Sequence, residues 1–321
     1  MDEEKAAHRR DAAEPATAPP TDPADTKRAA VEATARAGEV AAPEARVGPS
    51  PRPDYPRYRV EPGHRVRLAE LDPDESEHYR RKKDVADELA EQRDRIRRLQ
   101  ERLYAERRQS LLIVLQAMDT GGKDGTIRGV FAGVNPQGCQ VWAFKAPSSH
   151  ELEQDFLWRY HEKAPPLGMI TIFNRSHYED VLIVRVKSIV GEDVWRHRYH
   201  MINAFEHMLA LNRTTVLKFF LHISKDEQRR RLQSRLDDPS KHWKFSSADI
   251  RERAHWDHYM QAFEDCFHNC STPHAPWYVV PANKKWYRNL VVARAIADTL
   301  DAMNPQFPPA EAGLAQVAIP E

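Results

Sequence analysis

Ten consecutive residues, Ala117-Met118-Asp119-Thr120-Gly121-Gly122-Lys123-Asp124-Gly125-Thr126, have the types and spacing of a phosphate cradle. They follow an apolar run, Leu111-Leu112-Ile113-Val114-Leu115, of the kind a strand buried on both faces needs. Glycines let backbone N–H groups approach a phosphate without a Cβ in the way. A helix starting just after them points unpaired N–H donors and partial positive charge at the same place. Lys123 adds a full charge. The run departs from a Walker A loop in two positions: Ala117 replaces the first glycine, and Asp124 stands where a Ser or Thr hydroxyl would bind magnesium. A carboxylate can take over that duty, because a hard cation prefers oxygen ligands. Asp119 is the leading candidate, ahead of Asp124 and Thr126. The plain alternative is a chance Gly-Gly-Lys turn, and the buried strand in front of it weighs against that.

A second group sits at the end of another apolar run, in Phe173-Asn174-Arg175-Ser176-His177-Tyr178-Glu179-Asp180. Ligands of open α/β sheets lie at the carboxyl ends of strands, so Arg175 is expected near the cradle, its planar fork facing phosphoryl oxygens. Glu179 and Asp180 either touch a metal or simply favour a helix start. A third group is cationic: Arg229-Arg230-Arg231, Arg235, Lys241 and Lys244, with Trp243 among them. One helix cannot turn three consecutive arginines to one face, so at least one must meet water or an acid. The segment suits a lid that neutralises charge on a phosphoryl group in transit; the alternative is a solvated basic helix.

Elements able to position these groups can be read from pattern. Strands are expected at 111–115, 141–144, 168–173, 215–223 and 277–280. Helices are expected at 124–134, 151–161, 194–211, 225–237, 247–268 and 286–303. A charged stretch at 76–109 carries a narrow apolar stripe (Tyr79, Val85, Leu89, Ile96, Leu99, Leu103) and reads as a helix laced with ion pairs, or else as a basic polyanion-binding surface. Alternating strands and helices imply an α/β fold with a parallel sheet covered on both faces. Residues 1–54 contain no Leu, Ile, Phe, Tyr or Trp and are expected to be a disordered Ala/Pro-rich tail. The folded domain is expected over 55–304, with a lid at about 225–250 and a short tail at 305–321.

The 321 residues carry 48 basic and 48 acidic side chains. This balance excludes a uniformly basic nucleic-acid coat and shifts attention to local charge. No stretch approaches the uninterrupted apolar length of a membrane span. The first residues lack the basic-then-apolar order of a signal peptide. Three cysteines cannot form a disulfide framework, so a reducing, cytoplasmic setting is expected. His255, His258, Cys266 and Cys270 fit no common zinc spacing. Trp256, Tyr259 and Phe263 follow helical spacing and are expected in the core rather than as a base-stacking platform.

The cradle, Gly133-Val134-Asn135-Pro136-Gln137-Gly138, Phe144-Lys145-Ala146-Pro147, Asp155-Phe156-Leu157-Trp158-Arg159, the Asn174-Arg175 block, Trp243-Lys244-Phe245-Ser246, Trp256-Asp257-His258-Tyr259 and Ala275-Pro276-Trp277-Tyr278 run in order across about residues 57–304. Together they resemble the polyphosphate kinase 2 family, most of all its class III branch. The resemblance implies a three-layer α/β/α P-loop kinase-like fold with a helical lid. It implies magnesium-dependent, reversible transfer of the terminal phosphoryl group of inorganic polyphosphate to nucleoside mono- and diphosphates, with manganese as the alternative metal. It assigns Asp119, Lys123 and Arg175 to catalysis, and Asp119 with Glu179 to the metal. It assigns Gly121, Gly122, Lys123, Asp124, Gly125, Thr126, Arg128, Lys145, Arg229, Arg230, Lys241 and Lys244 to phosphate and polyphosphate. A homodimer or homotetramer is implied, with no membrane or nucleic-acid partner. Four departures stand out: Asn174 replaces the Walker B aspartate of other branches, Gly121 stands where Ala or Ser is expected, Asn283 where Asp is more frequent, and Cys270 in a stretch usually of Thr and Ser. The rivals are an ATP-dependent nucleotide kinase of the same fold and a non-catalytic polyanion-binding protein.

Overall fold

The computed structural model describes residues 58–320; the tail expected at 1–54 lies outside them. Five strands, β1 (Ser110–Gln116), β2 (Cys139–Ala143), β3 (Ile170–Asn174), β4 (Thr214–His222) and β5 (Trp277–Pro281), form one sheet in the order β2-β3-β1-β4-β5. Every pairing is parallel, with Leu111 opposite Ile170 and Thr215, and Phe220 opposite Val279. β1 is buried along its whole length, as its unbroken apolar run requires, whereas β2 is an exposed edge. All five expected strands are present, β3 beginning at Ile170 rather than at Gly168.

The helices among the described residues are α1 (Ala86–Glu106), α2 (Lys123–Val130), α3 (Ser149–Leu152), α4 (Trp158–His161), α5 (Ile183–Val186), α6 (Glu192–Leu211), α7 (Lys225–Leu236), α8 (Ser247–Arg253), α9 (Trp256–Cys270) and α10 (Lys285–Met303). α1, α2 and α10 pack together on one face of the sheet, and α5, α6 and α9 on the other, giving three layers. The charged stretch is helical only from Lys82, as a 3₁₀ turn leading into α1. Its stripe of Leu89, Ile96, Leu99 and Leu103 is buried, and its Arg95 pairs with Asp298 and Asp301 of α10. The expected helix at 151–161 is instead two single turns. Leu157 bonds through its N–H to the Asp155 side chain, an Asx turn that starts the second of them. The expected helix at 247–268 is broken at Ala254-His255, and α5 has no counterpart among the expected elements. Trp256, Tyr259 and Phe263 lie in the core.

One buried polar knot anchors the site from below. Lys218, fully buried in β4, donates to Glu206 Oε2 (2.6 Å), Tyr178 Oη (2.8 Å) and the Cys270 carbonyl (2.6 Å). Glu206 Oε1 accepts from Tyr178 Oη at 2.9 Å and lies 3.0 Å from His177 Nε2. A buried charge is tolerated only when paired and fully hydrogen-bonded, and here the pairing also pins the turn that follows Arg175.

Candidate active site

The loop between β1 and α2 turns on two left-handed residues, Thr120 (φ 62°) and Gly122 (φ 106°). The first is strained for a residue with a Cβ, and such strain concentrates at functional sites. Gly121 has no room for a side chain: a Cβ there would lie 2.4 Å from Ala117 Cβ and 2.8 Å from the Met118 carbonyl oxygen. Beyond the end of β3, Arg175 is also left-handed (φ 63°), held by its N–H to the Leu115 carbonyl at 3.1 Å. Its guanidinium returns over the cradle, and Nη2 donates to Asp119 Oδ1 at 2.9 Å.

These turns line a cavity of about 740 Å³ at the carboxyl ends of the strands. Eleven Lys and Arg side chains face four carboxylates in its wall. Asp119, Lys123 and Arg175 come together there, with Gly121, Gly122, Asp124 and Gly125. Arg128, Lys145, Arg230, Lys241 and Lys244 line it too. Three of the expected residues do not. Thr126 is buried and its Oγ1 donates to the Gly122 carbonyl at 3.1 Å, so its hydroxyl is consumed within α2. Arg229 is exposed on the far side of α7. Glu179 lies outside the cavity wall, its Oε1 3.1 Å from the Gln116 side-chain amide, and acts through its charge on Arg175.

Other residues reach the cavity beyond those assigned to phosphate or metal from the sequence. Arg231, the third of the arginine run, is buried and serves as a clamp. Nη1 donates to the carbonyls of Thr120 (3.0 Å) and Gly121 (3.1 Å), Nη2 to those of Ala282 (2.7 Å) and Asn283 (3.0 Å), and Nε to Glu227 (2.6 Å). It ties α7, the cradle and the end of β5 into one unit. Asp249 of α8 lines the cavity and accepts from Arg235 at 3.0 Å. Arg288 and Lys285 enter from the first turn of α10. Arg288 is legible in principle: it falls in register with Val291, Val292 and Ala295 on the buried face of its helix, where an arginine is out of place unless it has a task.

The departures at Asn174 and Asn283 have local reasons. Asn174 Nδ2 donates to Asp124 Oδ1 at 2.7 Å, bridging β3 to the start of α2. Asn283 accepts from the Ser224 N–H at 3.0 Å and donates to Asp74 Oδ2 at 2.8 Å; an ionised aspartate could not make the second bond.

Burial and the neighbouring Arg175 lower the pKa of Lys123, against the pull of Asp119, Glu179 and Asp124. Burial also opposes the charge of Arg175, but Glu179 and Asp119 outweigh it and hold that pKa above its ordinary value. Asp249 is raised by burial and then by the charge of Asp119. Buried polar atoms of Thr120 (Oγ1) and Arg288 (Nη1) meet no partner among the described residues. A cavity with surplus positive charge and unpaired donors is built for an anion.

Fold and site together define a phosphate-binding α/β transferase of the P-loop kinase type. The polyphosphate kinase 2 model matches residues 79–308 of the chain, which therefore belongs to that family, and its members are polyphosphate-dependent phosphotransferases. The AMP/ADP-polyphosphate phosphotransferase of Meiothermus ruber is 52% identical over 264 residues, covering 82% of this chain and 99% of that one. The ADP-polyphosphate phosphotransferase of Rhodopseudomonas palustris is 44% identical over 264 residues, covering 78% and 91%. Among solved structures, polyphosphate kinase 2 from Arthrobacter aurescens superposes with a TM-score of 0.77 at 46% identity, covering 81% of this chain and 93% of that one. Kinases of this type generally need a divalent metal. No helix among the described residues is long and apolar enough to cross a membrane.

Proposed function

We propose that this chain moves the terminal phosphoryl group of inorganic polyphosphate onto nucleoside mono- and diphosphates, AMP to ADP and ADP to ATP, with magnesium as the metal. The observation that carries the reading is the meeting of Asp119, Lys123 and Arg175 at the cradle, inside a cavity whose wall is mostly cationic. A terminal phosphate oxygen of the nucleotide attacks the end phosphorus of the polyphosphate chain. The bridging P–O bond breaks, and its electron pair leaves with the chain, now one unit shorter. Two polyanions must meet end to end, so positioning and charge neutralisation supply most of the rate. Lys123 and Arg175 hold the phosphoryl group in transit, and the lid residues Lys241 and Lys244 neutralise the flanking phosphates.

The oxygen donors present fit magnesium. Arg175 occupies Asp119 Oδ1, which leaves Oδ2 to a cation, and Asp249 is another of the four carboxylates of the cavity wall. No cluster of three or more His, Cys, Asp or Glu suited to a metal occurs among the described residues. That suits an ion bound by one or two carboxylates and completed by substrate phosphates. When bound, the metal supplies charge stabilisation and phosphate orientation.

The test is a donor–acceptor matrix, polyphosphate or ATP against AMP, ADP, GMP and GDP with magnesium, read by product chromatography. ATP formed from ADP and polyphosphate, and lost in Lys123→Ala, is the expected result. Turnover with ATP alone, or a Lys123→Ala protein as fast as wild type, would overturn the reading.

A further inference from the structure

α6 buries one face and leaves an apolar stripe on another. Trp195, Tyr199, Ile202 and Leu209 form its buried face. On the outward side, Val194, His197, Met201, Ala204, Met208 and Leu211 follow one another at alternate steps of three and four residues. That is the a/d spacing of a coiled coil, and it keeps the six side chains in one line along the helix. Val194, Met201, Met208 and Leu211 are between 37% and 51% exposed. A surface helix ordinarily gives its outward face to charged and polar groups, and a contiguous exposed apolar patch marks an interaction surface. None of the described residues that line the cavity belongs to α6, so the stripe has no task there.

The stripe is complementary to itself when turned end for end. Laid antiparallel on a second copy, Val194 meets Leu211, His197 meets Met208 and Met201 meets Ala204, each pair twice about a two-fold axis at the middle of the helix. The small Ala204 makes room for the long Met201, whose flexible chain fills irregular space. The ends match as well. The acidic first turn, with Glu192 and Asp193, comes to lie beside Arg213, which is exposed just past the far end. The two helix dipoles then oppose each other. A parallel pairing would instead set the acidic turns side by side and Met201 against Met201. With 20 residues the helix is about 30 Å long, so the stripe spans several layers of such contacts. The chain's own C-terminal segment is badly placed to cover it, because that segment leaves α10, which packs on the other face of the sheet.

We infer that α6 is the contact helix of a homodimer, paired antiparallel with its counterpart in a second copy of the chain through Val194, Met201, Ala204, Met208 and Leu211. The seam lies apart from the cavity and does not depend on the reaction performed there.

Sedimentation of the full chain and thiol crosslinking test the seam. Wild type is expected to sediment at twice its 37.0 kDa chain mass, or at an even multiple of it. Met201→Glu carries a charge into the centre of the stripe twice per dimer. It should raise the dissociation constant about a hundredfold or more and sediment at half the wild-type mass. Met201 is half exposed in the single chain, so this variant should keep its helical content by circular dichroism. Crosslinking reads the register and does not depend on that variant. Positions 194 and 211 lie about 26 Å apart along one helix, at about 1.5 Å per residue, too far for a disulfide within a chain. Val194→Cys/Leu211→Cys should therefore give a covalent dimer on mild oxidation. Each single variant should give no more than wild type, whose half-buried Cys139 sets the background. A wild type that stays monomeric up to about 100 µM, or a Met201→Glu protein that assembles as wild type does, would overturn the seam. So would a double variant with no covalent dimer above background, or single variants that crosslink as well as the double one.

Discussion

The guanidinium of Arg175 and the carboxylate of Asp119 are joined by one bond, Nη2 to Oδ1 at 2.9 Å, although they come from different strand ends 56 residues apart. The bond uses one carboxylate oxygen and one guanidinium nitrogen. It aims the second oxygen of Asp119 and the remaining N–H groups of Arg175 at the same cavity. The carboxylate proposed for the metal and the guanidinium proposed for the phosphoryl group are thus set by each other.

Asp119→Asn removes the charge and keeps the shape. Because the charge matters most when the transferring group is most negative, kcat should fall by about a thousandfold or more, with the KM for nucleotide changed only a few-fold. Steady-state kinetics with ADP varied at saturating polyphosphate provides the check. Equal losses in kcat and in nucleotide binding would place Asp119 in ground-state binding instead.

Most of this pair is legible in the amino-acid sequence. The unbroken apolar run of β1 and the glycines after it place Asp119 and Lys123, and the run ending at Asn174 places Arg175 at a neighbouring strand end. Which arginines turn inward is not legible. Arg229, Arg230 and Arg231 are chemically equivalent in a chain, and only the packing of α7 on the cradle makes Arg231 the clamp while Arg229 faces water. Asp249 is hidden for a similar reason: a short helix carries it to the cavity, and the break at Ala254-His255 that frees that helix has no glycine or proline to announce it.

The clamp should be costly to lose. Arg231→Ala leaves four backbone carbonyls, on Thr120, Gly121, Ala282 and Asn283, without their donor. Stranded buried acceptors cost about 1–3 kcal/mol each in the worst case, and water entering the gap reduces the sum. A destabilisation of about 2–4 kcal/mol is expected, visible as a lower denaturant midpoint, with kcat falling further than stability alone explains. A variant of wild-type midpoint and wild-type kcat would show that the cradle holds its shape unaided.

Asp180 should make stability depend on pH. Burial pushes its carboxyl up to about 6, despite the bond from Tyr160 Oη and the charge of Arg198. The folded protein therefore holds this proton more tightly than the unfolded chain, whose Asp titrates near about 4. Across that window stability falls as pH rises, by up to about 3 kcal/mol at this site. Asp180→Asn should flatten this part of the pH profile and raise the midpoint at neutral pH, while the midpoint in mild acid moves little. Equilibrium denaturation at intervals between mild acid and neutrality measures it; a variant less stable than wild type at neutral pH would mean that the charged form is the one the fold prefers.

Ala117 and Gly121 compete for one volume. The Cβ of Ala117 fills the place that a Cβ on Gly121 would need, with only 2.4 Å between them. This gives a reason for two departures at once: the loop lacks its usual first glycine at 117 and carries a glycine at 121, where Ala or Ser is expected. Gly121→Ala alone should strain the cradle, costing about 1–3 kcal/mol as overpacking does, and lower kcat with it. Ala117→Gly alone opens a methyl-sized gap beside a turn and should cost about 1 kcal/mol. The double exchange relieves the contact with the Ala117 methyl but not that with the Met118 carbonyl, so its loss should be smaller than that of Gly121→Ala alone without vanishing. A double-mutant cycle on unfolding free energy, run alongside kcat, reads the coupling directly. Simple additivity of the two losses would mean that the loop relaxes around an extra methyl, and that the exchange of Ala and Gly has some other origin.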